Sequence, residues 1–130
     1  MPSVDVPVAL LGYGTVGAAV DRLLSEQADE IERATGHRLR VVRALVRDAD
    51  KERAFAPAPG VLTSDPSEVF DDPSIGLVAE VMGGLDPAGP YVLSLLEAGR
   101  SVVTANKQLV ARRGAEIGRA SCRERVLDHV

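Results

Sequence analysis

The chain has 130 residues, 45% of them hydrophobic, and a formal net charge of −4, enough for one domain with a core of its own. The acidic balance argues against broad nucleic-acid binding. No run approaches the ~18 apolar residues of a membrane span, and the N-terminus lacks the charged-then-apolar pattern of a signal peptide, so a cytoplasmic domain is expected.

Pro7 suits the first position of a strand, so β-structure is expected from there through the apolar run Val8–Leu11. Val16, Ala19, Val20, Leu23, Leu24, Ala28 and Ile31 recur at helical spacing, and Gly36 is a stop. "LRVVRALVR", residues 39–47, reads as a second strand covered on both faces. The polar, Pro-rich stretch 48–60 reads as loop, and residues 61–63 as a short strand. Asp65, Pro66 and Glu68 form a helix start with a capping box, and that helix runs to about Asp71. "IGLVAEVMGG" holds a buried-type strand ending on Gly83 and Gly84. A helix stopped by Gly99 follows, and then the strand "SVVTAN", residues 101–106. This alternation predicts an α/β fold: a parallel sheet with crossover helices.

The handover from first strand to first helix carries the chemistry. Gly12-Tyr13-Gly14-Thr15-Val16-Gly17 is G-x-G-x-x-G, set between a strand and a helix as a dinucleotide-binding turn requires. Gly12 permits the tight turn, Gly14 lets backbone approach a pyrophosphate, and Gly17 lets the helix pack closely on the sheet. The helix N-terminus then offers free N–H groups and the positive end of its dipole to phosphates. The fold expected is therefore a Rossmann-type doubly wound parallel sheet.

The end of the second strand selects the cofactor. An acid there suits the ribose 2′-hydroxyl of NAD, an arginine the 2′-phosphate of NADP. Arg47 favours NADP, with NAD as the alternative. Asp48 is open to three roles: reading NAD, capping the loop, or sitting in water. Two further clusters fall at strand ends, where an open α/β sheet forms its ligand crevice: Gly83-Gly84, and Thr104 to Lys107 with an amide at Asn106 and a cation at Lys107. Lys107 either faces the ligand or begins a helix in solvent, where a cation is unfavourable. Glu80 interrupts an apolar strand and needs a hydrogen-bonding partner. Asp21, Glu26, Asp29, Glu30 and Glu32 read as a solvated helix face. His37 and His129 lack partners at metal-ligand spacing, and the lone Cys122 has no histidine pattern near it, so no metal site is expected.

"GYGTVG", "ALVRD", "VAEVMGG" and "GRSVVTANK", in this order over residues 6–116, resemble the N-terminal part of homoserine dehydrogenase. The resemblance implies NADPH- or NADH-dependent reduction of aspartate semialdehyde to homoserine, on the way to threonine, methionine and isoleucine, by a homo-oligomeric parent. It further implies that Gly12, Gly14 and Gly17 shape the phosphate loop, and that Tyr13, Thr15 and Val16 meet the dinucleotide through backbone groups. Arg47 would meet the 2′-phosphate. Gly83, Gly84 and Thr104 would border the nicotinamide side, and Lys107 would touch the cofactor and the reacting end of the substrate. The family's substrate-binding carboxylates and catalytic lysine have no counterpart in these motifs, so the catalytic acid and base stay unassigned and the chain is expected to be inactive alone. Two alternatives stand beside this reading: another NAD(P)-dependent amino-acid dehydrogenase, and a non-catalytic NAD(P)-sensing module. Residues 1–116 are expected to be a partial NAD(P)-binding domain. "IGRASCRERV" resembles one reading frame of a sequencing-adapter oligonucleotide, so residues 117–130 are expected to be a non-native tail.

Overall fold

The computed structural model describes residues 4–51, 53, 55–84 and 86–123. The chain runs β1 (Val4–Leu11), α1 (Thr15–Glu26), α2 (Ala28–Thr35), β2 (His37–Leu45), β3 (Leu62–Thr63), α3 (Ser67–Phe70), β4 (Leu77–Glu80), α4 (Ala88–Glu97), β5 (Val102–Thr104) and α5 (Lys107–Arg123). The five strands lie in the order β3-β2-β1-β4-β5, and every neighbouring pair is parallel. These are the first five positions of the doubly wound dinucleotide-binding order, whose direction reverses beside β1.

Alternation along β1 divides the core between two faces. Val8 and Leu10 pack with Ala44, Val61 and, from α1, Ala18 and Val20. Ala9 and Leu11 point the other way, onto Val69 of α3, Val78 of β4 and Leu95 of α4. Leu10 and Leu11 are wholly buried, and each such leucine stabilises the fold by about 1.5–3 kcal/mol. Val92 and Leu96 of α4 meet Leu109 and Ile117 of α5 in a third cluster. The guanidinium of Arg100 donates to the carbonyls of Phe70, Asp72 and Ile75, closing the turn that feeds β4.

Several details of the elements differ from expectation. β1 begins at Val4, three residues before Pro7. The Pro7 carbonyl accepts from Gly76 N–H on the β4 side, and β4 pairs only from Val8 onward. The N–H that proline lacks thus points where no strand yet stands. β2 runs from His37 to Leu45, not from residue 39 to 47; Val46 N–H reaches Thr63, the last residue of β3, and nothing further is left to pair with. The first helical stretch breaks at Gln27 (φ −105°, ψ 14°), and the redirected α2 brings Asp29 and Glu32 onto Arg38. At α3, Asp65 caps as expected by accepting from Ser67 N–H. Glu68 does not close the box: it hydrogen-bonds Thr63 Oγ1, which also accepts from Asp65 N–H. Pro90 falls in the first turn of α4, where its absent N–H had no intrahelical partner to lose. α5 continues past residue 116 to Arg123, while His129 and the side chain of Cys122 lie outside the described residues. Among the described residues no helix is long and apolar enough to cross a membrane, and no group of three His, Cys, Asp or Glu side chains could hold a metal.

Candidate functional site

The C-terminal ends of the strands carry the candidate groups, in two neighbouring regions. The first is an open cleft of about 1130 Å³ between the glycine turn and the segment after β2. Gly12 leaves β1 with φ +106°, a conformation that L side chains rarely adopt, and its N–H donates to the Leu45 carbonyl. A Cβ on Gly17 would stand 2.6 Å from the Gly12 carbonyl oxygen, so only glycine lets α1 approach the turn. A Cβ on Gly14 would meet nothing within 4 Å. The space above Gly14 is therefore open to the cleft and not needed for packing. α1 begins without a side-chain cap and without an acid in its first turn. Its leading N–H groups are thus left for an external anion.

Tyr13 turns its ring inward, 4% exposed, and its hydroxyl donates to Asp21 at 2.5 Å. Burial, then the bond to Asp21, pushes the Tyr13 phenol well above its ordinary range. Asp21 therefore does not belong to the solvated helix face assigned to it from sequence. It lies one turn beyond Gly17, on the side of α1 that faces the sheet, and it is buried. Thr15 and Val16 are exposed in the wall of the cleft.

Among the described residues, four cations line this cleft, Arg22, Arg47, Lys51 and Arg53, against one acid, Glu26. Arg22 is bonded to Glu26 and stacks on the Phe55 ring at 5.9 Å. Arg53 donates to the carbonyls of Lys51 and Asp48, bracing the loop. Arg47 is exposed, and among the described residues neither its side chain nor that of Lys51 has a polar partner. Asp48, left with three roles from sequence, accepts from Asp50 N–H and caps the loop. Sequence reasoning passed over Arg22, Lys51 and Arg53. The readable signal was two cations within six residues of Arg47.

The second region joins the ends of β4 and β5. Val81 and Met82 reach the cleft, whereas Gly83, Gly84, Thr104 and Lys107 lie outside its described lining. Gly83 and Gly84 are exposed, with φ +79° and +76°. Glu80 is 0% exposed and finds the partners that sequence demanded of it. Oε2 accepts from the N–H groups of Met82 and Gly83, at 2.9 and 3.4 Å, and Oε1 from the Thr104 hydroxyl at 2.5 Å. Asn106 does not offer its amide to the crevice. It is buried, donates Nδ2–H to the Gly84 carbonyl, and caps α5 by accepting from Leu109 N–H. Lys107 is exposed at the first position of α5.

Residues 12–126 match the family model described as homoserine dehydrogenase, NAD binding domain. The chain belongs to that family. It is 42% identical over 120 residues to the homoserine dehydrogenase of Corynebacterium glutamicum, a match covering 92% of this chain and 27% of the relative. It is 36% identical over 112 residues to that of Bacillus subtilis, covering 86% and 26%. A crystal structure of a homoserine dehydrogenase from Thiobacillus denitrificans superposes with a TM-score of 0.87 and 44% identity over 95% of this chain and 29% of that one. The fold recurs in a hyperthermophilic archaeal homoserine dehydrogenase solved with NADPH, at a TM-score of 0.70 and 21% identity, over 94% of this chain and 42% of that one. The chain thus corresponds to the NAD-binding part of homoserine dehydrogenases and spans little more than a quarter of the two bacterial relatives' length.

Proposed function

We propose that this chain binds NADP(H), with NAD(H) as the weaker partner, as the cofactor-binding part of an enzyme that reduces aspartate semialdehyde to homoserine. The observation that carries this reading is the uncapped N-terminus of α1 above the open Gly14, set beside an Arg47 that has no polar partner among the described residues. Phosphate suits that arrangement: N–H groups for the pyrophosphate, and a planar guanidinium for a second, bidentate phosphate contact. In this reading Gly12, Gly14 and Gly17 shape the turn, and Tyr13, Thr15 and Val16 meet the dinucleotide through backbone. Arg47, with Lys51 beside it, takes the adenosine 2′-phosphate. Gly83, Gly84 and Thr104 border the nicotinamide half, and Lys107 reaches the cofactor and the substrate carbonyl.

The nicotinamide supplies the hydride when bound, and the residues named here hold and orient it. Reduction of the aldehyde also needs a held substrate and a proton donor for the developing alkoxide. Lys107 is this chain's candidate near the carbonyl, and the remaining groups belong to a substrate-binding part in a cytoplasmic, homo-oligomeric parent serving threonine, methionine and isoleucine synthesis. Residues 1–116 make up the cofactor part in this reading, and the adapter-like wording supports a non-native tail over residues 117–130, which sequencing of the genomic frame past codon 116 tests.

The functional test is a pair of titrations of the 130-residue chain, with NADPH and NADH, followed by nicotinamide fluorescence. Saturable binding with NADPH the tighter is expected; binding of neither overturns the reading. Mixed with NADPH and aspartate semialdehyde, the chain is expected to show no turnover above buffer. Substrate-dependent oxidation would instead direct attention to Lys107 and Glu80.

A further inference from the structure

Glu80 is the one wholly buried carboxylate among the described residues, on a strand where Val78 is also buried and Leu77 and Ala79 are half-buried. Desolvating a carboxylate is costly unless every lone pair is met. Here the partners are met in a closed ring. Glu80 takes the N–H groups of Met82 and Gly83, and Thr104 gives its hydroxyl proton to Glu80. Thr104 Oγ1 accepts from Asn106 N–H, and Asn106 Nδ2–H closes on the Gly84 carbonyl. Two backbone N–H groups and the Thr104 hydroxyl thus meet both oxygens of the buried side chain. The Glu80 carbonyl adds one more link by accepting from Ala105 N–H.

The ring has two outlets. Met82 lies in the cleft wall, and its Cα stands 3.1 Å from where a Cβ on Gly12 would sit, so the turn after β4 abuts the turn after β1. Asn106 caps α5, whose first residue is Lys107. Moving Glu80 would therefore move both the 81–84 turn and the start of α5. Resting on the cofactor reading above, we infer that Glu80 is a positioning residue that splices the ends of β4 and β5 into one platform for the nicotinamide half of the dinucleotide. It touches no ligand itself; it acts through Met82, Gly83 and Asn106.

The ligand pair that tests this is NADPH against 2′-phospho-ADP-ribose, which carries the same phosphates and adenosine but no nicotinamide. Both are titrated against the 130-residue chain and its Glu80→Gln and Thr104→Val variants, with circular dichroism as the check on folding. Glu80→Gln is expected to weaken NADPH at least tenfold and Thr104→Val three- to tenfold, while the affinity for 2′-phospho-ADP-ribose changes less than twofold. Should Glu80→Gln not fold, Thr104→Val carries the comparison. Equal weakening of both ligands would reduce Glu80 to a fold-holding residue and overturn the inference, as would unchanged NADPH affinity in a folded variant. An unsubstituted chain that binds neither ligand would overturn the cofactor reading itself, an outcome distinct from either of these.

Discussion

The turn after β1 and the turn after β4 stand side by side at the same end of the sheet, yet they are finished in opposite ways. After β1, polar capacity is left open: α1 starts uncapped, Gly14 faces empty space, and Arg47 and Lys51 lack polar partners among the described residues. After β4 it is consumed internally, because Glu80, Thr104, Asn106 and the backbone of residues 82–84 satisfy one another. An open set of donors recognises charge brought from outside. A closed ring fixes shape. In the proposed reading, the same end of one sheet sets a charged grip for phosphates beside a rigid surface for the nicotinamide half.

The sharpest break in that contrast is Gly14→Val. Its Cβ would meet no protein atom within 4 Å, so the branched side chain grows into the space above the helix start. Loss of NADPH binding by more than about a hundredfold is expected, with thermal stability within about 1 kcal/mol of the unsubstituted chain, the range of a helix-cap change. Retained NADPH binding in the folded variant would remove the glycine turn from the site. Arg47→Ala separates the two cofactors. A hydrogen bond to a charged group contributes about 1.5–3 kcal/mol, so NADPH should weaken roughly ten- to a hundredfold while NADH changes little. Equal losses would mean that Arg47 does not read the 2′-phosphate.

Gly17→Ala probes the frame rather than the grip. Its Cβ would press on the Gly12 carbonyl at 2.6 Å, and overpacking of this kind costs about 1–3 kcal/mol; urea unfolding is expected to register the loss without any ligand present. The smallest effect concerns Tyr13. Its phenol is held above the ordinary range in the fold, so the unfolded chain releases that proton first as pH rises past 10. Between there and the raised native value the folded state keeps the extra proton, and stability falls with pH by at most about 1.4 kcal/mol per unit. Tyr13→Phe should remove that component, seen as a smaller loss of urea midpoint between pH 9 and pH 11.

The sheet and its glycine turn were legible from sequence because both depend on local pattern. Buried parallel strands read as apolar runs, and Gly12, Gly14 and Gly17 sit at spacings set by backbone geometry. Asp21 was misread because its neighbours Arg22 and Glu26 are solvated, and nothing local announces that a tyrosine eight residues earlier will fold back onto it. Asn106 was misread for a related reason: its partner, the Gly84 carbonyl, is twenty-two residues away and meets it only when β4 and β5 pair. Glu80 could be flagged from sequence, since a carboxylate in an apolar strand is conspicuous, but its partners could not be named before the strands had been placed.

The opposite end of the sheet has a different character. Val4–Val6 of β1 pair only with His37–Leu39 of β2, because the β4 side is first reached at the Pro7 carbonyl, and most of this two-stranded extension is exposed. Its cross-strand ion pair, Asp5 with Arg40, lies in solvent, where such pairs stabilise little. With one neighbour instead of two, these residues can open without disturbing the core clusters further along the strand. Amide hydrogens there should exchange with solvent well before those of Val8–Leu11. The chain therefore keeps this readily opened backbone a full strand length from the glycine turn, so fraying at that end leaves the cleft beside Gly14 untouched.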